Sequence, residues 1–132
     1  MSDLPECEAP PPALLVQGIR EFNRREFYEC HETLETLWMA ESGPIRELYQ
    51  GIIQVGVGFY HVGRGNHIGA VRTMRRGVDR LHTLPSRCHG VDVGRLIADA
   101  ETALHRVVEL GPARIADFDN ELIPTIDLGV PG

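Results

Sequence analysis

The sequence predicts an all-α fold: a single-domain bundle of about five helices with a central, buried third helix and an irregular C-terminal tail. Three observations carry this. Apolar residues recur at helical spacing over five successive segments. Chain breakers separate those segments, at Pro10-Pro11-Pro12, Ser42-Gly43-Pro44, Gly65-Asn66, Pro85 and Gly111-Pro112. The chain has 132 residues, 42% hydrophobic and 24% charged, which suits one globular domain rather than two or a disordered segment.

Residues 1–12 read as a loose N-terminal arm, because their prolines exclude helix. The bundle is expected over 13–112. The first helix, from about Pro12 to Asn23, places Leu15, Ile19 and Phe22 on one face. The second, from about Arg25 to Ala40, carries an apolar stripe of Phe27, Cys30, Leu34, Leu37 and Trp38. Pro44 suits the first turn of the third, Ile45 to Val62. There Leu48, Ile52, Val55, Phe59 and Val62 form one stripe, and Tyr49, Ile53, Gly56, Tyr60 and Gly63 a second beside it. A helix apolar around so much of its circumference belongs in the centre. Gly51, Gly56 and Gly58 cost helix stability there, which points to closely approaching neighbours. A strand over Ile52–Val62 is the competing reading, since the segment is apolar and partly β-branched. Asn66 is a strong N-cap for the fourth helix, His67 to about Leu84, with Val71, Met74, Val78 and Leu81 inward. Asp92 caps the fifth, which ends at Leu110-Gly111-Pro112. From Ala113 to Gly132 the chain reads as a tail packed on the bundle through Phe118, Leu122, Ile123 and Ile126.

Composition excludes several functions. All 13 basic residues are Arg, so Schiff-base lysine chemistry and a P-loop lysine are absent. The formal net charge of −6 argues against general nucleic-acid binding. The start lacks the basic and apolar regions of a signal peptide. The longest stretch without Asp, Glu, Lys or Arg is the 16 residues Leu48–Gly63, too short and polar to span a bilayer. A cytoplasmic location is expected. Three widely spaced cysteines, Cys7, Cys30 and Cys88, indicate no disulfide framework. Cys30 reads as a small buried hydrophobe, and His82, His89 and His105 as surface residues.

One polar constellation stands out. On the second helix, His31 and Glu35 are four apart and Glu32 and Glu35 three apart, so each pair can meet. On the third, Gln50, Gln54 and His61 lie along one line inside the most apolar helix. Carboxylates and imidazoles projecting between helices can hold a transition metal. The candidate ligands are His31, Glu32, Glu35 and His61, with Tyr28, Gln50, Gln54 and Asn66 as a supporting polar shell. This mixed nitrogen and oxygen set suits Zn, Fe or Mn more than Ca. Without metal, Glu32 or Glu35 as base and His61 as acid are the candidate catalytic groups for a small polar substrate. The preferred reading is blander: a buried hydrogen-bond network that fixes helix register in a structural or binding scaffold.

The segment Phe22-Asn23-Arg24-Arg25-Glu26-Phe27-Tyr28-Glu29-Cys30-His31-Glu32-Thr33-Leu34-Glu35 with Trp38 resembles the opening motif of the domain of unknown function 309 family. Leu48-Tyr49-Gln50-Gly51-Ile52-Ile53-Gln54, Tyr60-His61, Arg64-Gly65-Asn66 and Gly69-Ala70 resemble its second motif. The resemblance covers roughly residues 14–84 and implies a small, all-helical prokaryotic protein, with no activity to transfer. Arg25 departs from it, standing where Gly is usual, and this bears on the turn more than on the site.

Charge is segregated. Glu26–Glu47 holds six Glu and one Arg, a local net of −5; Arg64–His89 holds six Arg and one Asp, a local net of +5. The stripe Arg72, Arg76, Arg80 could serve an anion, but pairing with acidic surface of the second helix or of another subunit is preferred. These opposed segments, and the apolar third helix, predict self-association, with a dimer favoured.

Overall fold

The computed structural model describes residues 4–129, and the all-α expectation holds. Five helices follow in order: α1 (Ala13–Asn23), α2 (Phe27–Ala40), α3 (Arg46–Gly63), α4 (His67–Leu81) and α5 (Val93–Arg114). A two-stranded antiparallel ribbon, β1 (Arg87–Cys88) and β2 (Val91–Asp92), joins α4 to α5. Short 3-10 turns occupy Pro5–Glu8, Ile115–Asp117 and Asn120–Leu122. Helix α5 is interrupted at Gly111, whose φ of 70° no regular helix accommodates, immediately before Pro112.

Helix α3 is the centre, as its two stripes require. Leu48, Tyr49, Ile52 and Val55 are fully buried, and the strand reading of this segment is excluded. It packs most extensively against α4 and next against α2. Both neighbours run antiparallel to it. Phe27 at the start of α2 meets Phe59 near the end of α3, with ring centroids 6.0 Å apart. At the other end, the Arg46 guanidinium lies 3.7 Å over the Trp38 ring. The glycines explain the intimacy of the α3–α4 pair. A Cβ on Gly77 would stand 2.8 Å from the Val55 amide nitrogen and 2.9 Å from the Gly51 carbonyl oxygen, so backbone meets backbone there. Tyr60 and Gly63, placed by sequence on the second stripe, are exposed beyond the contact with α4.

Both predicted caps form. Asn66 accepts from the Gly69 amide at 2.9 Å, and Asp92 from the Arg95 amide at 3.0 Å. The turn between α1 and α2 explains the departure at Arg25. That residue sits at φ 66°, where glycine carries no steric penalty. Its guanidinium donates to the carbonyls of Pro124 at 3.0 Å and Ile123 at 3.2 Å. Asn23 adds a two-way bond with the Ile126 backbone, at 2.8 and 3.1 Å. The tail is therefore held to the α1–α2 turn, with Ile115, Phe118 and Ile126 buried. Residues 130–132 of the expected tail and 1–3 of the expected arm lie outside the described residues.

Two expectations are corrected. Cys7 and Cys88 form a disulfide across 81 residues, so the chain does carry a covalent staple. An odd cysteine count with wide spacing says nothing about which two the fold brings together. His89 is buried, not a surface residue. Its Nδ1 lies 2.9 Å from the Ala9 carbonyl, its amide donates to the Cys7 carbonyl at 2.7 Å, and its ring stacks parallel to Tyr49. Cys7 and Ala9 are thus tied to the ribbon.

Candidate functional site

The polar residues singled out by sequence lie on α2, α3 and the entry to α4, and they fall into three groups. The first is on α2. One helical turn brings His31 Nε2 within 2.8 Å of Glu35 Oε2, with the two side chains 38% and 46% exposed. The Tyr28 ring lies 6.4 Å from the imidazole and is itself open to solvent. Glu32, on the same stripe, is exposed and makes no ion pair among the described residues.

The second group closes the α3–α4 turn. The His61 carbonyl accepts from the amides of Arg64 and Asn66, at 3.1 and 2.9 Å. His61 Nδ1 lies 3.4 Å from the Asn66 side-chain nitrogen. Asn66 meanwhile caps α4. The third group bridges α3 and α4. Gln54 Oε1 accepts from Arg80 Nε at 3.0 Å, while Arg80 Nη1 donates to both Glu47 carboxylate oxygens at 3.0 and 3.3 Å. Gln50 is half-buried beside this network.

The structure joins His31 to Glu35, His61 to Asn66, and Gln54 to Arg80 and Glu47. Among the described residues it does not gather three or more His, Cys, Asp or Glu side chains in a way that could hold a metal ion. His31, Glu32, Glu35 and His61 are therefore not assembled into one ligand set. The reason is geometric. His61 sits in the last turn of α3, where its partners are the residues of the turn into α4. His31 and Glu35 take each other as partners on a partly exposed face.

Sequence reasoning missed Glu47 and Arg80. Glu47 and Gln54 are seven apart on α3 and share a face. Arg80 belonged to a stripe expected to bind the second helix or another subunit. It turns instead to α3, while Arg72 and Arg76 keep no ion pair among the described residues. Two further buried groups stand out. The Tyr49 hydroxyl is buried without a hydrogen-bond partner among the described residues. Burial, with the Glu41 charge adding to it, pushes its phenol up to about 12. Burial also pushes the Cys30 thiol up to about 12, with Glu21 reinforcing it, so this cysteine is inert.

Comparison with known proteins finds relatives over the region that holds the polar motif. Residues 15–73, from α1 into α4, match the model of a family described as a domain of unknown function, DUF309. The chain is 34% identical over 90 residues to the uncharacterized protein YpuF of Bacillus subtilis (strain 168), covering 65% of this chain and 52% of the relative. It is 24% identical over 92 residues to an uncharacterized protein of Aquifex aeolicus (strain VF5), covering 69% of this chain and 28% of the relative. The matched region is thus about half the length of the first relative and a little over a quarter of the second. The family match thus runs over residues 15–73, a little under half of the chain.

Proposed function

We propose that the protein is a helical binding scaffold in which the polar motif locks helices rather than reacts. One observation carries the reading: Gln54 accepts from Arg80 of α4, and Asn66 caps α4, so both polar groups serve the α3–α4 hairpin. A buried or half-buried polar group on an apolar helix needs such a partner, because leaving it unpaired costs about 1–3 kcal/mol. Self-association as a dimer belongs to this reading, supported by the opposed charges of the α2 and α4 segments. Among the described residues no helix is long and apolar enough to cross a membrane. A cytoplasmic location is an expectation against which the Cys7–Cys88 disulfide weighs, since such bonds persist in oxidising surroundings. Thiol alkylation in intact cells would decide it.

The short His31–Glu35 pair favours a second reading, a metal-dependent or acid–base site built on that pair with the exposed Glu32 beside it. Elemental analysis of untagged protein, with melting in the presence of Zn, Mn or Fe(II) ions, separates the two. The scaffold predicts no stoichiometric metal and no stabilisation. One equivalent of metal, lost in both His31→Ala and Glu35→Gln, would replace it with the second reading.

A further inference from the structure

Among the described residues, four of the five large hydrophobic side chains that stand exposed lie on two faces. Tyr28 (58%) and Met39 (71%) are on α2; Ile68 (68%) and Val108 (44%) flank the outer edge of α4 and α5. On α2, Tyr28, Glu32, Glu35 and Met39 follow at steps of four, three and four, which places them on one stripe. On α4, Ile68, Arg72, Arg75 and Asp79 follow at the same steps. One stripe carries carboxylates at its two middle positions and the other carries guanidinium groups. Arg72 and Arg75 are exposed and have no ion pair among the described residues, as is true of Glu32. A groove of about 520 Å³ runs beside the α4 stripe, lined by Ile68, Val71, Arg72, Arg75 and Val108.

We infer that the α2 stripe of one copy docks antiparallel on the α4 stripe and groove of a second copy. The inference rests on the scaffold reading and names its contact surface. The step pattern is the same in both directions, so an antiparallel pair keeps all four positions in register. Met39, the most exposed of these apolar side chains, then covers Ile68, the next most exposed. Glu35 faces Arg72, and Glu32 faces Arg75. The Tyr28 hydroxyl donates to the Asp79 carboxylate. Helix stripes with this spacing interdigitate at a shallow crossing angle. The parallel alternative sets Tyr28 against Ile68 but leaves Met39, the most exposed apolar side chain, against the Asp79 carboxylate. Because the two faces differ, a closed dimer makes the contact twice, the α2 stripe of each copy lying on the α4 stripe of the other.

The test is a charge swap read by light scattering at micromolar protein and low salt, with circular dichroism confirming that each variant stays helical. Wild type is expected to associate, and less so as salt rises. Glu32→Arg sets Arg against Arg75 of the second copy, and Arg75→Glu sets Glu against Glu32. Each variant alone is expected to associate about tenfold or more weakly than wild type. An equimolar mixture of the two is expected to associate like wild type, since every contact is again between opposite charges. A monomeric wild type, variants that associate as wild type does, or a mixture no stronger than its components would each overturn the interface. The two readings fail separately. Divalent-ion stabilisation would remove the scaffold without changing the mass, whereas a monomer mass would remove the interface and leave the helix lock standing.

Discussion

The α3–α4 hairpin and the junction around the β1–β2 ribbon hold the molecule together by different means. In the hairpin, neighbours in sequence become neighbours in space. Gly51 and Gly77 let the backbones touch, Gln54 and Glu47 hold Arg80, and Asn66 caps the turn. At the junction, residues from both ends of the chain converge. Cys7 is bonded to Cys88, His89 takes the Cys7 and Ala9 carbonyls, Val91 bridges to Leu128, and Gly129 donates to Gly90. The hairpin is a packing problem solved by periodic residues. The junction is a closure problem solved by a covalent staple and backbone bonds. The first should respond to changes in volume and polarity, the second to changes in connectivity.

The largest expected effect tests the junction. The disulfide closes a loop of 81 residues. Removing it by Cys7→Ser frees the unfolded chain and should cost about 4–5 kcal/mol on the chain-entropy scale. Denaturant melts of wild type and variant without reductant would measure this. A change below about 1 kcal/mol would mean that the backbone bonds alone hold the arm. Next comes the hairpin. Gly77→Val brings a branched side chain against the Val55 amide and Gly51 carbonyl, so the helices must separate. Overpacking of this kind costs about 1–3 kcal/mol. Thermal unfolding should show the loss, while the same substitution at the open position Gly63 should cost less.

A smaller effect links the two regions, because Tyr49 of α3 stacks on His89 of the junction. Its phenol ionises near 10 in the unfolded chain and is pushed up to about 12 in the fold. Between those values the unfolded state holds fewer protons, so stability falls as pH rises from about 10 to 12. Tyr49→Phe should abolish that alkaline component. At neutral pH it should leave stability unchanged or slightly raised, because the hydroxyl it removes is buried without a partner among the described residues. Matching alkaline melts for the two proteins would remove Tyr49 from the account.

The same comparison shows what the sequence could disclose. The hairpin was legible: two apolar stripes, glycines at helical positions and Asn after Gly65 are local signals, and all of them describe contacts within a few turns. The junction was not. Cys7 and Cys88 carry no mark that pairs them, and the burial of His89 follows only from the arm that covers it. The polar motif lies between these cases. Its pairwise partners on one helix, His31 with Glu35, follow from spacing alone. Its partners across helices required knowing that Arg80 turns inward while Arg72 and Arg76 do not.

The central claim is that motif side chains act by holding α3 to α4, and the Gln54–Arg80 pair tests it most directly. A double-mutant cycle of Gln54→Leu, Arg80→Met and the combination, read by denaturant melting, isolates their coupling. The account predicts that each single change destabilises and that the pair couples by about 1 kcal/mol, in the range found for contacting polar partners. Additive effects with no coupling would contradict it, because Gln54 would then serve something other than the lock.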